Sequence, residues 1–318
     1  MRLIGVDVGG TKTAVAALED GDAGAAGRHA AASGEPRAFS LTEIDTSPTP
    51  TDSTEALLDH LAQRIRAHGP ADAVGVAVPS VIDWAAGAAR FSVNIPLAGV
   101  ALRSELGSRL DGMPVHVDND ATCAGLAEAL GDDGAPLVQH LVMVTVGTGV
   151  GGGLVIGGRV YRGATGAAAE LGHMIVAGDL REGAPAAHRF PHPDSLEKAA
   201  SGGALGALAG ERGLGDGHAA VEAARRGERA AVEVLRIAGE RLGVGIANLI
   251  NVFDPDVVAV GGGVSEAGDL LLEPARAAVR RLVLTGVGTK TEIRAARHGE
   301  DAGVRGAALL AMQELEPT

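Results

Sequence analysis

Two glycine-rich loops, each directly after a strand-like apolar run, constrain this chain more than any other feature. The first, Asp7-Val8-Gly9-Gly10-Thr11-Lys12-Thr13, follows Leu3-Ile4-Gly5-Val6. The second, Thr145-Val146-Gly147-Thr148-Gly149-Val150-Gly151-Gly152-Gly153, follows Leu141-Val142-Met143-Val144. Glycine lets a backbone approach a ligand closely and turn its N–H groups on phosphate oxygens. One such loop is equally an ordinary tight turn between strands. Two of them, with Asn119-Asp120 between and Glu170-Leu171-Gly172-His173 after, suggest a kinase that divides ATP between two lobes.

Composition narrows the classes that remain. A length of 318 residues suits two ordinary domains or one large one. Aromatic residues are only 2% of the chain, so its core must be aliphatic. The 48 glycines follow no triplet period, which excludes collagen. A net charge of −13 argues against a nucleic-acid partner, which needs clustered Lys and Arg. It does not argue against ATP, which local N–H groups and Mg²⁺ can hold whatever the global sign. Cys123 is the sole cysteine, so neither an intrachain disulfide nor a cysteine-based zinc site is possible. No leader is visible, and no apolar run approaches the roughly 20 residues that span a bilayer. A soluble cytoplasmic protein with no membrane partner is the expectation.

Periodicity gives the element order. Residues 2–7 and 13–18 read as strands joined by the first loop, and residues 20–50 as strands with exposed turns. Residues 53–68 read as a helix capped by Ser53 or Asp52, with Leu57, Leu58, Leu61 and Ile65 on one face. Val74–Val78 is a buried strand, 100–110 a short helix and 115–117 a strand. Asn119 then caps a helix to about Leu130, and residues 141–160 form a strand pair around the second loop. Residues 178–194 read as a surface loop. The clearest helix runs from about Arg229 to Phe253, and its aliphatic stripe suits a core or a subunit interface. Residues 256–260 are a strand entering a third loop, Gly261-Gly262-Gly263, and a helix at 302–315 closes the chain. Strands alternating with helices favour an α/β fold, and the closely spaced early strands favour a mixed sheet.

Several residues in these segments suit phosphoryl transfer. Asp7 is placed to meet Mg²⁺ directly or through its waters, and Gly9, Gly10 and Thr11 to surround a phosphate. Lys12 offers a positive charge there or faces solvent. Asn119 and Asp120 are preferred capping residues, and an aspartate at a helix N-terminus is also kept ionised, as a general base requires.

These segments resemble the ROK family of sugar kinases, repressors and open reading frames, within the actin-like ATPase superfamily. The resemblance rests on Asp7-Val8-Gly9-Gly10-Thr11-Lys12, Val117-Asp118-Asn119-Asp120-Ala121, Thr145-Val146-Gly147-Thr148-Gly149-Val150-Gly151, Glu170-Leu171-Gly172-His173 and Ser195-Leu196-Glu197, in the family's order. It implies a two-lobed α/β fold of the actin-like ATPase (ribonuclease H-like) kind, with a mixed sheet in each lobe and a central cleft. The expected lobes are a small N-terminal one, 1–118, on which the final helix 302–315 packs back, and a large C-terminal one, 119–301. It further implies an ATP-dependent hexose kinase acting with Mg²⁺, Asp120 being the general base. Asn94, Asn119, Glu170, His173 and Glu197 would join Asp120 on the sugar. Gly9, Gly10, Thr11, Lys12, Thr145, Gly147, Thr148 and Gly149 would bind ATP, with Gly261, Gly262 and Gly263 beside the adenosine. A homodimer is also implied.

One departure stands out. Many members of the family follow this histidine with a three-cysteine zinc cluster, but residues 174–198 contain no cysteine, and Ser195 stands where the last would be. His188 and His192, with His173, offer only nitrogens. No structural zinc is therefore expected, the loop being held by packing and its two histidines exposed. A repressor of the family would need a helix-turn-helix ahead of the strand that starts at Arg2. Glucose is the expected acceptor. Fructose, mannose, allose, N-acetylhexosamines, polyphosphate as a second donor, and sugar binding without catalysis stand as alternatives.

Overall fold

The computed structural model describes residues 1–20, 38–92, 94–131, 133–181, 183–184 and 190–315. The expected strands at 21–37, parts of the expected loop at 178–194 and His188 lie outside the described residues. The chain divides into two compact units: Met1–Gln139 with Gly153–Ala168 and Glu300–Thr318, and His140–Gly152 with Ala169–Gly299.

The first unit is built on a mixed sheet. Strands β1 (Arg2–Val8), β2 (Lys12–Asp20), β3 (Phe39–Leu41), β4 (Asp45–Pro48), β5 (Ala73–Val78) and β8 (Val115–Asn119) take the order β3-β2-β1-β5-β8, with β4 also on β2. β1 runs antiparallel to β2 and parallel to β5, and β5 parallel to β8. A hairpin, β6 (Ser80–Asp83) and β7 (Ala88–Ser92), forms a separate two-stranded sheet. Its alternation is weak, which is why sequence patterning does not show it.

Helices cover both faces of the large sheet, so its strands are apolar on both sides. On one face, α1 (Thr54–Ala67) and α2 (Leu102–Arg109) bury Leu57, Leu58, Leu61, Ile65, Leu102 and Leu106 against Ile4, Val6, Val74 and Val76. Ser53 caps α1, its hydroxyl accepting from the Ala56 N–H at 3.1 Å. On the other face lie α3 (Asp120–Ala129) and α9 (Ala302–Leu315). α9 rests almost backbone to backbone on its neighbours. A Cβ added at Gly75 would stand 1.7 Å from the Ala307 carbonyl oxygen, and one at Gly306 1.8 Å from that of Cys123.

The second unit carries the parallel strands β9 (His140–Val146), β12 (Val257–Gly261) and β13 (Glu292–Ala295). β10 (Val150–Ile156) starts in this unit, and its end pairs in the first with β11 (Arg159–Val160). The helices are α4 (Leu196–Ala200), α5 (Gly202–Gly210), α6 (Gly217–Arg225), α7 (Arg229–Phe253) and α8 (Asp269–Leu282). α7 buries Ala231, Val234, Leu235, Ala238, Leu242, Ile246, Leu249 and Ile250, while Phe253, the last member of the stripe expected from the sequence, is only half-buried. Among the described residues, no helix is long and apolar enough to cross a membrane.

Candidate active site

In the first unit, the first glycine loop, the end of β8 and the start of α9 place the acidic residues. The Gly9 N–H donates to the Lys12 carbonyl at 2.9 Å and closes the turn between β1 and β2. Gly10 and Thr11 are exposed at its tip. A Cβ on Gly10 would stand 3.1 Å from the Cβ of Asn94, so Asn94 lies beside this loop. Lys12 is exposed, with its Nζ 2.9 Å from a Glu300 carboxylate oxygen.

Asn119 and Asp120 divide their work. The Asn119 Oδ1 caps α3, accepting from the N–H groups of Ala121 at 2.9 Å and Thr122 at 3.2 Å. Its Nδ2 lies 3.4 Å from the Ser80 carbonyl, so the amide N–H groups are what Asn119 can turn on a ligand. Asp120 is the first residue of α3, and its Oδ1 also accepts from the Ala121 N–H, at 2.8 Å. The helix dipole favours an ionised carboxylate there. The capping and catalytic readings are thus compatible.

Asp7, at the end of β1, is pushed up to about 7. Its withdrawal from water is the main cause, the charge of Asp120 adds to it, and Lys12 opposes it. The two carboxylates are therefore close enough to repel. Asp7 also abuts the first turn of α9, where a Cβ on Gly303 would stand 2.2 Å from its Oδ2. One or two carboxylates with waters and phosphate oxygens make a magnesium site, and this acidic pair fits one.

In the second unit, Gly147, Thr148, Gly263 and Val264 line a cavity of about 510 Å³. Gly202, Gly203, Leu205, Asp216, Gly217, His218 and Val221 complete it. The second and third glycine loops therefore converge with the N-termini of α5 and α6, and helix N-termini favour anions. Sequence reasoning missed the α5 and α6 residues, although Ser201-Gly202-Gly203 and Gly215-Asp216-Gly217 carry the same glycine signal. Gly261 ends β12 against Met143, and Gly262 turns the chain with φ of 81°. Of the third loop's glycines, Gly263 is the one that lines the cavity. Thr145 is a half-buried strand residue paired with Gly261.

Glu170 precedes and His173 ends a single 3₁₀ turn, Leu171–His173, with a Glu170 carboxylate oxygen 4.0 Å from the His173 Nε2. Both are exposed. Glu197, in α4, turns to the second glycine loop, its Oε2 accepting from the Val150 N–H at 3.0 Å. A Cβ on Gly149 would stand 2.4 Å from that oxygen, whereas one on Gly147 would meet nothing within 4 Å.

Backbone bonds hold the cysteine-free segment near Glu197. Leu196 N–H donates to Met174 O at 2.8 Å and Val176 N–H to Asp194 O at 2.9 Å. His192, expected in solvent, is buried, and its Nδ1 accepts from the Asp194 N–H at 3.0 Å. His173 instead meets the Phe190 ring edge-on, with centroids 6.1 Å apart. Among the described residues, no three His, Cys, Asp or Glu side chains are grouped to hold a metal.

The chain belongs to the ROK family, whose model matches residues 3–314. It is 32% identical to a glucokinase of Streptomyces coelicolor, over 98% of this chain and 97% of that one. Among solved structures, a ROK hexokinase from Thermus thermophilus is 32% identical, covers both chains completely and superposes with a TM-score of 0.80. A ROK family glucokinase from Streptomyces griseus, in complex with glucose and AMPPNP, is 31% identical. It covers 98% of this chain and 100% of its own, with a TM-score of 0.74. The fold is accordingly the α/β actin-like ATPase fold with mixed sheets.

Proposed function

We propose that this chain is an ATP-dependent hexose kinase with glucose as its principal acceptor. The observation that carries the reading is Asp120 at the N-terminus of α3, on a turn capped by Asn119, with Asp7 of the first glycine loop near enough to feel its charge. A sugar-binding protein without catalysis needs neither a positioned base nor a second carboxylate beside it. The glucokinase and hexokinase relatives favour the same reading.

Asp120 accepts the proton of a sugar hydroxyl as its oxygen attacks the γ-phosphorus. The new P–O bond forms while the bond to the β,γ-bridging oxygen breaks, leaving ADP and the hexose phosphate. The 6-hydroxyl is the acceptor in this reading. Asn119 offers N–H groups to the sugar, and Asn94, Glu170, His173 and Glu197 complete its hydrogen-bonding partners. Such partners discriminate among hydroxyls once the bound sugar covers them, because a polar group then left unmatched is costly. Gly9, Gly10, Thr11 and Lys12 face phosphate oxygens. Gly147, Thr148 and Gly263 line the nucleotide cavity in the second unit. Asp7 would hold Mg²⁺, which when bound neutralises charge on the phosphates. The reading includes a cytoplasmic homodimer.

A coupled ADP-release assay with a hexose panel tests it. Glucose should give the highest kcat/KM. ATP turnover indifferent to every hexose would overturn the reading, and a higher value for another hexose would move the substrate assignment alone.

A further inference from the structure

The acid that precedes Asn119-Asp120 has no role in the reaction just described, yet it is the most deeply buried carboxylate of that segment. Asp118 is 2% exposed at the end of β8. Its Oδ1 accepts from the Asn119 N–H at 2.9 Å, and its Oδ2 from the Arg162 Nε at 2.7 Å. Arg162 lies 44 residues away in sequence and is itself held on three sides. Its Nη2 donates to the Glu314 carboxylate at 3.0 Å, and its guanidinium lies 3.4 Å from the centroid of the Trp84 ring. Arg103 lies 5.2 Å from the same centroid and is tied by its Nη2 to the Trp84 carbonyl at 2.7 Å. The strand, the hairpin turn after β6, the chain beyond β11 and the end of α9 thus meet at one guanidinium.

A buried ion pair is weak evidence for stability, since desolvation offsets much of its attraction. Its geometry says more. One carboxylate oxygen fixes the guanidinium and the other fixes the backbone N–H of the residue that caps α3. Asn119 and Asp120 inherit whatever orientation that N–H is given. A planar fork stacked on an indole ring holds such an orientation with less freedom than an ammonium would.

We propose that Arg162 is a positioning residue of the kinase site, acting through Asp118 to fix the Asn119-Asp120 turn against substrate. The inference rests on the kinase reading but can fail separately from it. Misplacing a catalytic group by about 1 Å costs up to roughly 100-fold in rate. Arg162→Met should therefore lower kcat about 10–100-fold and weaken glucose binding several-fold, with little change in KM for ATP. Arg162→Lys should recover only part of either loss. Asp118→Asn should behave like Arg162→Met, because the two donors meet different carboxylate oxygens and an amide would turn its NH2 on one of them.

The decisive measurement is a double-mutant comparison of kcat, with glucose affinity by calorimetry as a second readout. In an Asp120→Asn background, Arg162→Met should cost little further in kcat, because the base it positions is already gone. Full additivity with Asp120→Asn, or unchanged kcat and glucose affinity in folded Arg162→Met, would overturn the proposal and leave the kinase reading standing. If Arg162→Met fails to fold, the paired Arg162→Met/Asp118→Asn variant, which removes both charges, serves in its place. Wild-type affinity and turnover in that pair would likewise overturn the proposal. If the wild-type chain turns over no hexose, the kinase reading falls, and unchanged glucose affinity in the variants would overturn the positioning role as well.

Discussion

At the residue scale, Asp7 has the most direct thermodynamic signature. A carboxyl raised from 3.8 to about 7 holds its proton more tightly in the folded chain than in the unfolded one. Its contribution to stability is fully present below pH 4 and is lost as pH rises to about 7. A rise from 3.8 to about 7 corresponds to at most about 4 kcal/mol. In metal-free buffer, Asp7→Asn should therefore be more stable than wild type by about 2–4 kcal/mol at pH 8, with the advantage gone near pH 4. The same substitution should abolish most ATP turnover. Thermal melts across pH check this, and a pH-independent difference would contradict it. The two glycines of the second loop give a contrasting pair. Gly147→Ala enters open space and should alter KM for ATP if phosphates approach there, whereas Gly149→Ala must displace Glu197 and should raise KM for the sugar. Identical kinetics in the two variants would refute that division. Asp7, Asn119 and Asp120 were legible as local motifs because their chemistry is written in adjacent residues. Arg162 was not, since its partners Asp118, Trp84 and Glu314 come together only in three dimensions.

At the scale of elements, α9 shows how small residues replace aromatic bulk in this core. Gly75 and Gly306 let it approach β5 and α3 more closely than any Cβ allows. Overpacking by one methyl costs about 1–3 kcal/mol where side chains can adjust, and a backbone clash leaves less room to adjust. Gly306→Ala should thus lower unfolding free energy by about 3 kcal/mol or more in urea, and a loss under about 0.5 kcal/mol would show that the helix can shift. Long periodic elements were legible: α7 spans Arg229–Phe253 as its stripe indicates, and Ser53 caps α1. α5 was not, because Gly202, Gly203, Gly206 and Gly210 argue against a helix. It forms because the Ser201 hydroxyl caps it and Leu205, Leu208 and Ala209 are buried. His192 was misjudged for a similar reason: its own loop is polar, and burial comes from the fold around it.

At the scale of the whole molecule, strand–helix alternation carried only the α/β class, and the five short motifs in their fixed order carried the actin-like fold through their resemblance to the ROK family. The acceptor sugar was not legible, since it depends on loop shape rather than on residue type. The missing cysteines bear on metal content. Purified protein should contain no stoichiometric zinc, and chelation should leave activity intact once Mg²⁺ is restored. About one zinc per chain, lost and regained with activity, would contradict this and implicate histidines and carboxylates.

The central claim is that Asp120 is the base for phosphoryl transfer to a hexose, and parallel measurement of kcat and glucose affinity for Asp120→Asn tests it most directly. The asparagine oxygen can still accept from the Ala121 N–H, so α3 keeps its first turn. The account predicts a kcat lowered by about 10²–10⁴-fold with glucose binding largely retained. A near-normal kcat in a folded Asp120→Asn enzyme would contradict it.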